Sequence, residues 1–375
     1  MIILIFIIGL ISIAYVYLIY QIGIGWNDTQ TVKIQAEYVP ETGISVIIAV
    51  RNEENNIQQC IESILKNNFP IENYEIIVVD DHSTDQTFRL ISELHNEKVR
   101  VFRLSENSRG KKAAITFGIS MASFPHILCT DADCTVSQDW LVTHSMQLEQ
   151  NDALINSSIV LPETNDSILT HFQFLDFVAT MAITANGIFR KSYFLANGAN
   201  LSFKKATFYD VSGYEGNKHL ASGDDIFLIN KIAVSAPEKI GFIKSSESIV
   251  ITKAEPTWLS FVHQRKRWAT KAMKMDHSKI AVIQGFVFLY AGIIGLYLLV
   301  GLFYSGVLFT GGLVALFIKM ITDYLFLKSL CRYFGQPKVM RSFLPCFFLY
   351  FIHIILSGFF ALRPSVFEWK GRVVR

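Results

Sequence analysis

Charge is scarce in this sequence, and cysteine motifs, glycine fingerprints and the marks of a cleavable leader are not evident in it. Only 18% of the 375 residues are charged while 51% are hydrophobic. That balance is too apolar for a wholly soluble chain of this length and points to membrane segments. The formal net charge of +2 offers nucleic acid nothing to grip, so no nucleic-acid partner is expected. Five cysteines (Cys60, Cys129, Cys134, Cys331 and Cys346) form no CxxC and no regular spacing. That spacing argues against a disulfide framework or zinc site and fits small buried hydrophobes, with the soluble part in a reducing compartment. No GxGxxG or GxxxxGK[ST] follows any apolar run, which argues against dinucleotide and P-loop chemistry. Residues 1–20 carry no charge, but they also lack a basic start and a small-residue cleavage site. They read as a retained anchor long enough to span a bilayer.

Three further apolar runs, 281–303, 306–327 and 343–362, close the sequence. The second contains Lys319 and Asp323 one helical turn apart; isolated charges in lipid are costly, so the two are expected to pair. The basic stretch 328–341 belongs in the cytoplasm by the positive-inside tendency, and counting back two spans places 22–280 there too. The tail 369–375 is also basic. It fits only if 343–362 is re-entrant or interfacial, or if the tail departs from the tendency.

Between anchor and spans, short apolar runs alternate with helical patterns. ISVIIAV (44–50), EIIVVD (75–80), VRVFRL (99–104) and HILCT (126–130) read as strands, and the segments between them recur at helical spacing. Strands that are apolar throughout and separated by helices predict a parallel sheet covered on both faces, an α/β domain. Ligands bind beyond the carboxyl ends of such strands. Asp80 and Asp81 follow the second strand, and Asp131 and Asp133 follow the fourth, so both acidic pairs should crown one edge. Two carboxylates one residue apart repel each other unless a cation or good donors intervene. The pair at 131 and 133 is either a solvated turn or a metal site.

The residues that carry a family likeness now stand in order: VIIAVRNEENNI (46–57), VVDDHSTDQT (78–87), GKKAAI (110–115), TDADC (130–134), ANGANLSFKKATFYDVSGY (196–214), SGDDIFL (222–228) and QRKRW (264–268). Over about 43–270 the sequence resembles the membrane-bound family 2 glycosyltransferases, the group that includes cellulose, chitin and hyaluronan synthases and ceramide glucosyltransferase. The resemblance implies a GT-A fold: a Rossmann-like, mostly parallel sheet, here with one N-terminal and about three C-terminal transmembrane helices. It implies inverting transfer from a nucleotide-sugar donor. A divalent cation, Mg²⁺ or Mn²⁺, would neutralise the departing diphosphate through the DxD acids, with Asp133 as direct ligand and Asp131 facing the ribose or the metal. Asp81 matches the base contact; Asp80 beside it could instead cap the helix, which leaves open which of the two meets the base, and Glu53 joins the nucleotide-sugar contacts. Lys111 matches the lysine of the GK motif, with Lys112 competing. In SGDDIFL, Asp225 matches the catalytic base that takes the acceptor's proton. Asp224 replaces the more usual Glu before it and could instead cap the following helix. Gln264, Arg267 and Trp268 match QxxRW, with Gln264 and Arg267 binding diphosphate or steadying the active-site edge and Trp268 as an acceptor platform. The same basic-aromatic cluster suits a membrane interface.

The layout expected is an anchor (1–22), a catalytic domain (43–253), an interfacial segment (254–280), C-terminal helices (281–363) and a basic tail (364–375). The apolar stretch 168–189, with His171 and Asp176, reads as a helix at the membrane face rather than a span. Two acceptors compete: a membrane lipid receiving one sugar, or a growing glycan extended by a processive synthase. The few spans leave little room for a polymer channel and tilt the reading toward a lipid. The setting expected is a bacterial cytoplasmic membrane with the catalytic domain inside.

Overall fold

The computed structural model describes residues 2–216, 223–272, 278–361, 367–369 and 372–374, with side chains left undescribed at 267–278, at 355 and from 357 onward. The chain divides into two compact units. One gathers Met1–Asp28, Thr164–Asn186 and Ala254–Phe367; the other gathers Thr29–Glu163, Gly187–Lys253 and Glu368–Arg375.

Along the chain, α1 (Ile2–Asp28) precedes β1 (Ile44–Val50), α2 (Ile57–Leu65), β2 (Tyr74–Asp80), α3 (Thr87–Ser92), β3 (Val99–Arg103), α4 (Lys111–Met121) and β4 (His126–Asp131). Next come β5 (Cys134–Val136), α5 (Trp140–Gln150), β6 (Ile155–Ser158), β7 (Val160–Pro162), α6 (Ile168–Phe189), β8 (Leu201–Lys204) and α7 (Lys205–Asp210). They are followed by α8 (Asp224–Ser235), β9 (Ile240–Ile243), β10 (Val250–Thr252), α9 (Trp258–Ala272), α10 (Ser278–Tyr304), α11 (Gly306–Tyr333) and α12 (Phe343–Ala361).

The main sheet has the order β3-β2-β1-β4-β8-β6-β9. Strands β3, β2, β1 and β4 are parallel, β8 runs antiparallel to both β4 and β6, and β9 is parallel to β6. Every residue of β2 is buried, and all but one of β1. Covered on both faces, these strands have no solvent side to mark with polar residues, and each buried Ile or Val contributes roughly 1.5–3 kcal/mol. Helix α4 settles on the sheet at Gly118, where a Cβ would come 2.7 Å from Ile47 Cγ2. The mostly parallel α/β sheet is present as expected. The reversed strand, LSFK, and its neighbour INSS are too short and polar to announce themselves.

In the helical unit, α1, α10 and α11 pack through Ile8, Tyr15, Tyr290, Ile294, Tyr297 and Ala315. Lys319 and Asp323 pair at 2.5 Å, as the sequence leads one to expect. Tyr15 of α1 completes the set, donating to Asp323 Oδ1 at 2.5 Å and accepting from Lys319 Nζ at 2.9 Å. Among the described residues, four helices are long and apolar enough to cross a membrane: α1, α6, α10 and α11. Helix α6 differs from the rest, with 61% of its apolar window buried against 17%, 28% and 17%. Its polar residues explain the difference. Asp176 meets Arg265 of α9 at 2.6 Å, Gln173 exchanges hydrogen bonds with the Glu255 backbone, and His171 Nδ1 lies 2.7 Å from Ser342 Oγ.

Candidate active site

The parallel strands deliver their carboxyl ends to one edge. Along β1, Val50 pairs with Asp80 and Ala49 with Asp131, so the two acidic pairs flank β1 at about two strand spacings, roughly 10 Å. The loops after β1 and β2 are stitched together there. Asn52 N–H donates to Ser83 Oγ at 3.0 Å, Glu53 N–H to Thr87 Oγ1 at 2.7 Å, and Thr84 N–H to Asn52 Oδ1 at 2.8 Å. Asn52 and His82 both hold positive φ, 51° and 58°, which side chains tolerate only where surrounding bonds over-determine the backbone.

Asp80 and Asp81 divide their work. Asp80 is fully buried, meets Arg103 Nε at 3.0 Å and accepts from Ser83 N–H at 3.2 Å, so it shapes the loop. Asp81 accepts on its backbone oxygen from Arg51 Nη1 at 2.7 Å, and its Oδ1 lies 3.3 Å from His82 Nδ1. Glu53 receives Asn56 Nδ2 at 2.7 Å.

Lys111 is the centre of the acidic cluster. Its Nζ lies 2.6 Å from Asp131 Oδ1 and 3.5 Å from Asp224 Oδ2. A cation in the first turn of a helix opposes the helix dipole, so these two carboxylates account for its placement. Burial works against its charge, but Asp131, Asp224 and Asp225 outweigh burial and hold its pKa well above the usual lysine range. Lys112 points elsewhere, its ammonium 4.7 Å from the centre of the Phe227 ring. Helices α4 and α8 are each launched from a glycine in a positive-φ conformation, Gly110 at 97° and Gly223 at 87°, where a side chain would be strained. Asp224 therefore does not cap α8, because Gly223 holds that position and Asp224 turns to Lys111. Asp225 accepts from Gly198 N–H at 3.0 Å and from Ile226 N–H at 2.8 Å. A Cβ on Gly198 would lie 3.0 Å from Asp224 Oδ2 and 3.4 Å from Lys111 Nζ, so the 197–200 turn passes directly over both motifs.

Asp133 lies beside two buried thiols, with Cys134 Sγ 3.5 Å from its Oδ1, while Cys60 Sγ is 3.5 Å from the Asp131 carbonyl. Burial raises the Cys60 pKa, and the charges of Asp133, Asp131 and Glu53 add to it. Among the described residues no three His, Cys, Asp or Glu side chains gather as a closed metal cage. The donor set nevertheless suits a hard divalent cation. Asp131 and Asp133 offer carboxylate oxygens on one tight turn, Asp131 is 35% exposed, and an ammonium already sits against it. Two carboxylates leave coordination positions for phosphate oxygens and water.

QxxRW lies on α9, in the helical unit. Gln264 Nε2 donates to Glu255 Oε1 at 2.9 Å; the side chains of Arg267 and Trp268 lie outside the described residues. The buried Arg265, between Gln264 and Arg267, pairs with Asp176 and stacks on Phe261 at 4.7 Å, a contact the motif does not advertise. A cleft of about 620 Å³ in the sheet unit, lined by Thr31–Ala36, Tyr38, Asn68, Asp139 and Glu247, contains none of the candidate acids.

The chain matches the family model described as glycosyl transferase family 2 over residues 45–196, and that described as glycosyl transferase family group 2 over 126–362. Poly-beta-1,6-N-acetyl-D-glucosamine synthase of Staphylococcus epidermidis is 27% identical over 190 residues, covering 48% of this chain and 44% of that protein. The synthase of the same name from Staphylococcus aureus (strain MSSA476) is 28% identical over 180 residues, 46% of this chain and 42% of that protein. The chain thus spans less than half the length of these relatives in the matched region. A solved mannosyltransferase from Pyrobaculum calidifontis, in complex with GDP-Man and Mn2+, aligns with a TM-score of 0.58 at 17% identity, covering 96% of this chain and 98% of that one. The likeness is one of fold, the GT-A arrangement that the motifs imply.

Proposed function

Because this chain belongs to the family 2 glycosyltransferases, we propose that it transfers a sugar from a UDP-linked donor to an acceptor hydroxyl by one in-line displacement. The observation that carries this reading is the Asp131–Lys111–Asp224 ladder with Asp225 fixed beside it. In one step the acceptor oxygen bonds to the anomeric carbon, the bond to the diphosphate breaks, and Asp225 takes the acceptor's proton. Lys111 stands where its charge can shift from Asp131 toward the leaving phosphates. Asp81 and Glu53 would hold the nucleotide, and Gln264, Arg267 and Trp268 the diphosphate and acceptor. A divalent cation on Asp131 and Asp133 would supply neutralisation of the diphosphate charge; the Mn2+ in the solved mannosyltransferase supports this choice.

Similarity to poly-beta-1,6-N-acetyl-D-glucosamine synthases favours a growing glycan as acceptor over the lipid suggested by the small number of spans. The apolar helices support a reaction at a membrane, and the basic 328–341 stretch favours a cytoplasmic catalytic face in a bacterial cell. The test is a donor screen with the purified membrane protein, reading UDP release and the fate of labelled sugar. Chelation should stop release and Mn²⁺ or Mg²⁺ restore it. Asp225→Asn should lower turnover by about 10²–10⁴-fold, and unchanged turnover would exclude Asp225 as base. Label in organic-soluble material instead of polymer would return the acceptor to the lipid class.

A further inference from the structure

Away from the acids, α5 carries a buried polar cluster that no motif predicts. Asn200 is fully buried and uses its whole amide. Its Nδ2 donates to Ile159 O at 2.8 Å and Ser248 O at 2.7 Å. Its Oδ1 accepts from Trp140 Nε1 at 3.0 Å and lies 2.9 Å from His144 Nε2. With both amide hydrogens committed to carbonyls, Oδ1 can only accept, so His144 carries its proton on Nε2 and accepts from Ser202 Oγ at its Nδ1, 2.9 Å away. Every polar group of Asn200 is therefore satisfied in one orientation, which makes such a network rigid.

That rigidity is passed to the neighbouring turn. Asn200 N–H bonds Asn197 O at 3.0 Å, Ala199 N–H bonds Asn197 Oδ1 at 3.1 Å, and Ser158 N–H bonds Asn200 O at 3.1 Å. Inside this turn sits Gly198, whose N–H donates to Asp225 Oδ2. Asp225 also accepts from Ile226 N–H on its own helix, whereas the Gly198 bond is a tertiary one and depends on where the turn is held.

We propose that Trp140, His144 and Asn200 are positioning residues for Asp225, acting through the 197–200 turn and the Gly198 amide. The proposal rests on the reading of Asp225 as the base. A hydrogen bond to a carboxylate favours its charged form and lowers its pKa; loosening the turn leaves Asp225 more easily protonated and less well aimed. Lys111 of α4 and Tyr214 of the turn after α7 both feel the charge of Asp225, and Asp224 precedes it on its own helix. Burial depresses the His144 pKa to about 3, so His144 itself stays neutral throughout the working range.

The experiment is the full chain carrying Trp140→Phe with His144→Phe, which keep an aromatic ring at each position but leave Asn200 Oδ1 without the Trp140 and His144 donors. Turnover is expected to fall about tenfold, with the acidic limb of the pH–rate profile moving up by about half a unit to one unit and the donor KM within about twofold of the parent. Trp140→Phe alone should move both readouts the same way by a smaller amount, and it is read if the double variant does not fold. Unchanged turnover, or a fall in turnover with an unmoved acidic limb, overturns the positioning role. Asp225→Asn is measured alongside. Turnover surviving that change overturns the base assignment and this proposal together, whereas its loss with an unmoved limb in the phenylalanine variants overturns this proposal alone.

Discussion

Lys111 touches an acid from each of two motifs that lie 93 residues apart (131 to 224), and single substitutions there should be read by both stability and turnover. Lys111→Met leaves the buried Asp224 facing no cation. The expected cost is about 1–3 kcal/mol, kept below that of a fully buried pair because solvent reaches Asp131. Its pKa is raised in the folded state, so its stabilisation is complete below the ordinary lysine value, about 10.4, and lost as pH climbs through the raised one. Denaturation midpoints of parent and variant should therefore differ by a constant amount through neutral pH and converge only in strong alkali; convergence near pH 6 would contradict the ion-pair account. Gly198→Ala tests the same neighbourhood from above. Its Cβ, 3.0 Å from Asp224 Oδ2, obliges that carboxylate to give by a few tenths of an ångström. Turnover should drop about tenfold while the protein stays folded.

Between whole helices, the Tyr15, Lys319 and Asp323 set joins α1 to α11 across the apolar bundle. Removing one charge strands the other among apolar side chains, whereas removing both leaves packing that can be repaired. Lys319→Met should lower the unfolding temperature in detergent, and Lys319→Met with Asp323→Leu should recover most of the loss. Equal and additive losses would show that the charges act separately. Helix α6 is governed by the same physics. Its composition qualifies it as a span, yet Asp176, Gln173 and His171 are each consumed by α9, the segment before it or the residue preceding α12.

For the molecule as a whole, acid tolerance should be set by buried neutral histidines. Burial lowers the pKa of His144 to about 3 and lowers that of His126 as well. Between about pH 6.5 and the depressed value the unfolded chain binds a proton that the folded chain refuses, so stability is full above about pH 6.5 and declines as pH falls. His144→Phe should flatten that slope in chemical denaturation measured from about pH 7 to pH 4; an unaltered slope would remove His144 from the account. Sequence by itself determined the parallel strands, the acidic rim, the GK and DD motifs and the apolar helices. Each is written in contiguous residues: strands buried on both faces must be apolar throughout, and short-range turn chemistry needs particular side chains. Only tertiary structure decided that Asp80 shapes a loop while Asp81 stands beside it, that Lys111 meets Asp131 and Asp224 while Lys112 lies over the Phe227 ring, and that Asp224 faces a lysine instead of capping its helix. It alone joined His144 to the turn over Asp225. Those choices depend on which way a side chain points after distant strands have met, and polar groups 56 or 60 residues apart leave no periodic trace because their partners are fixed by the fold rather than by the neighbouring chain.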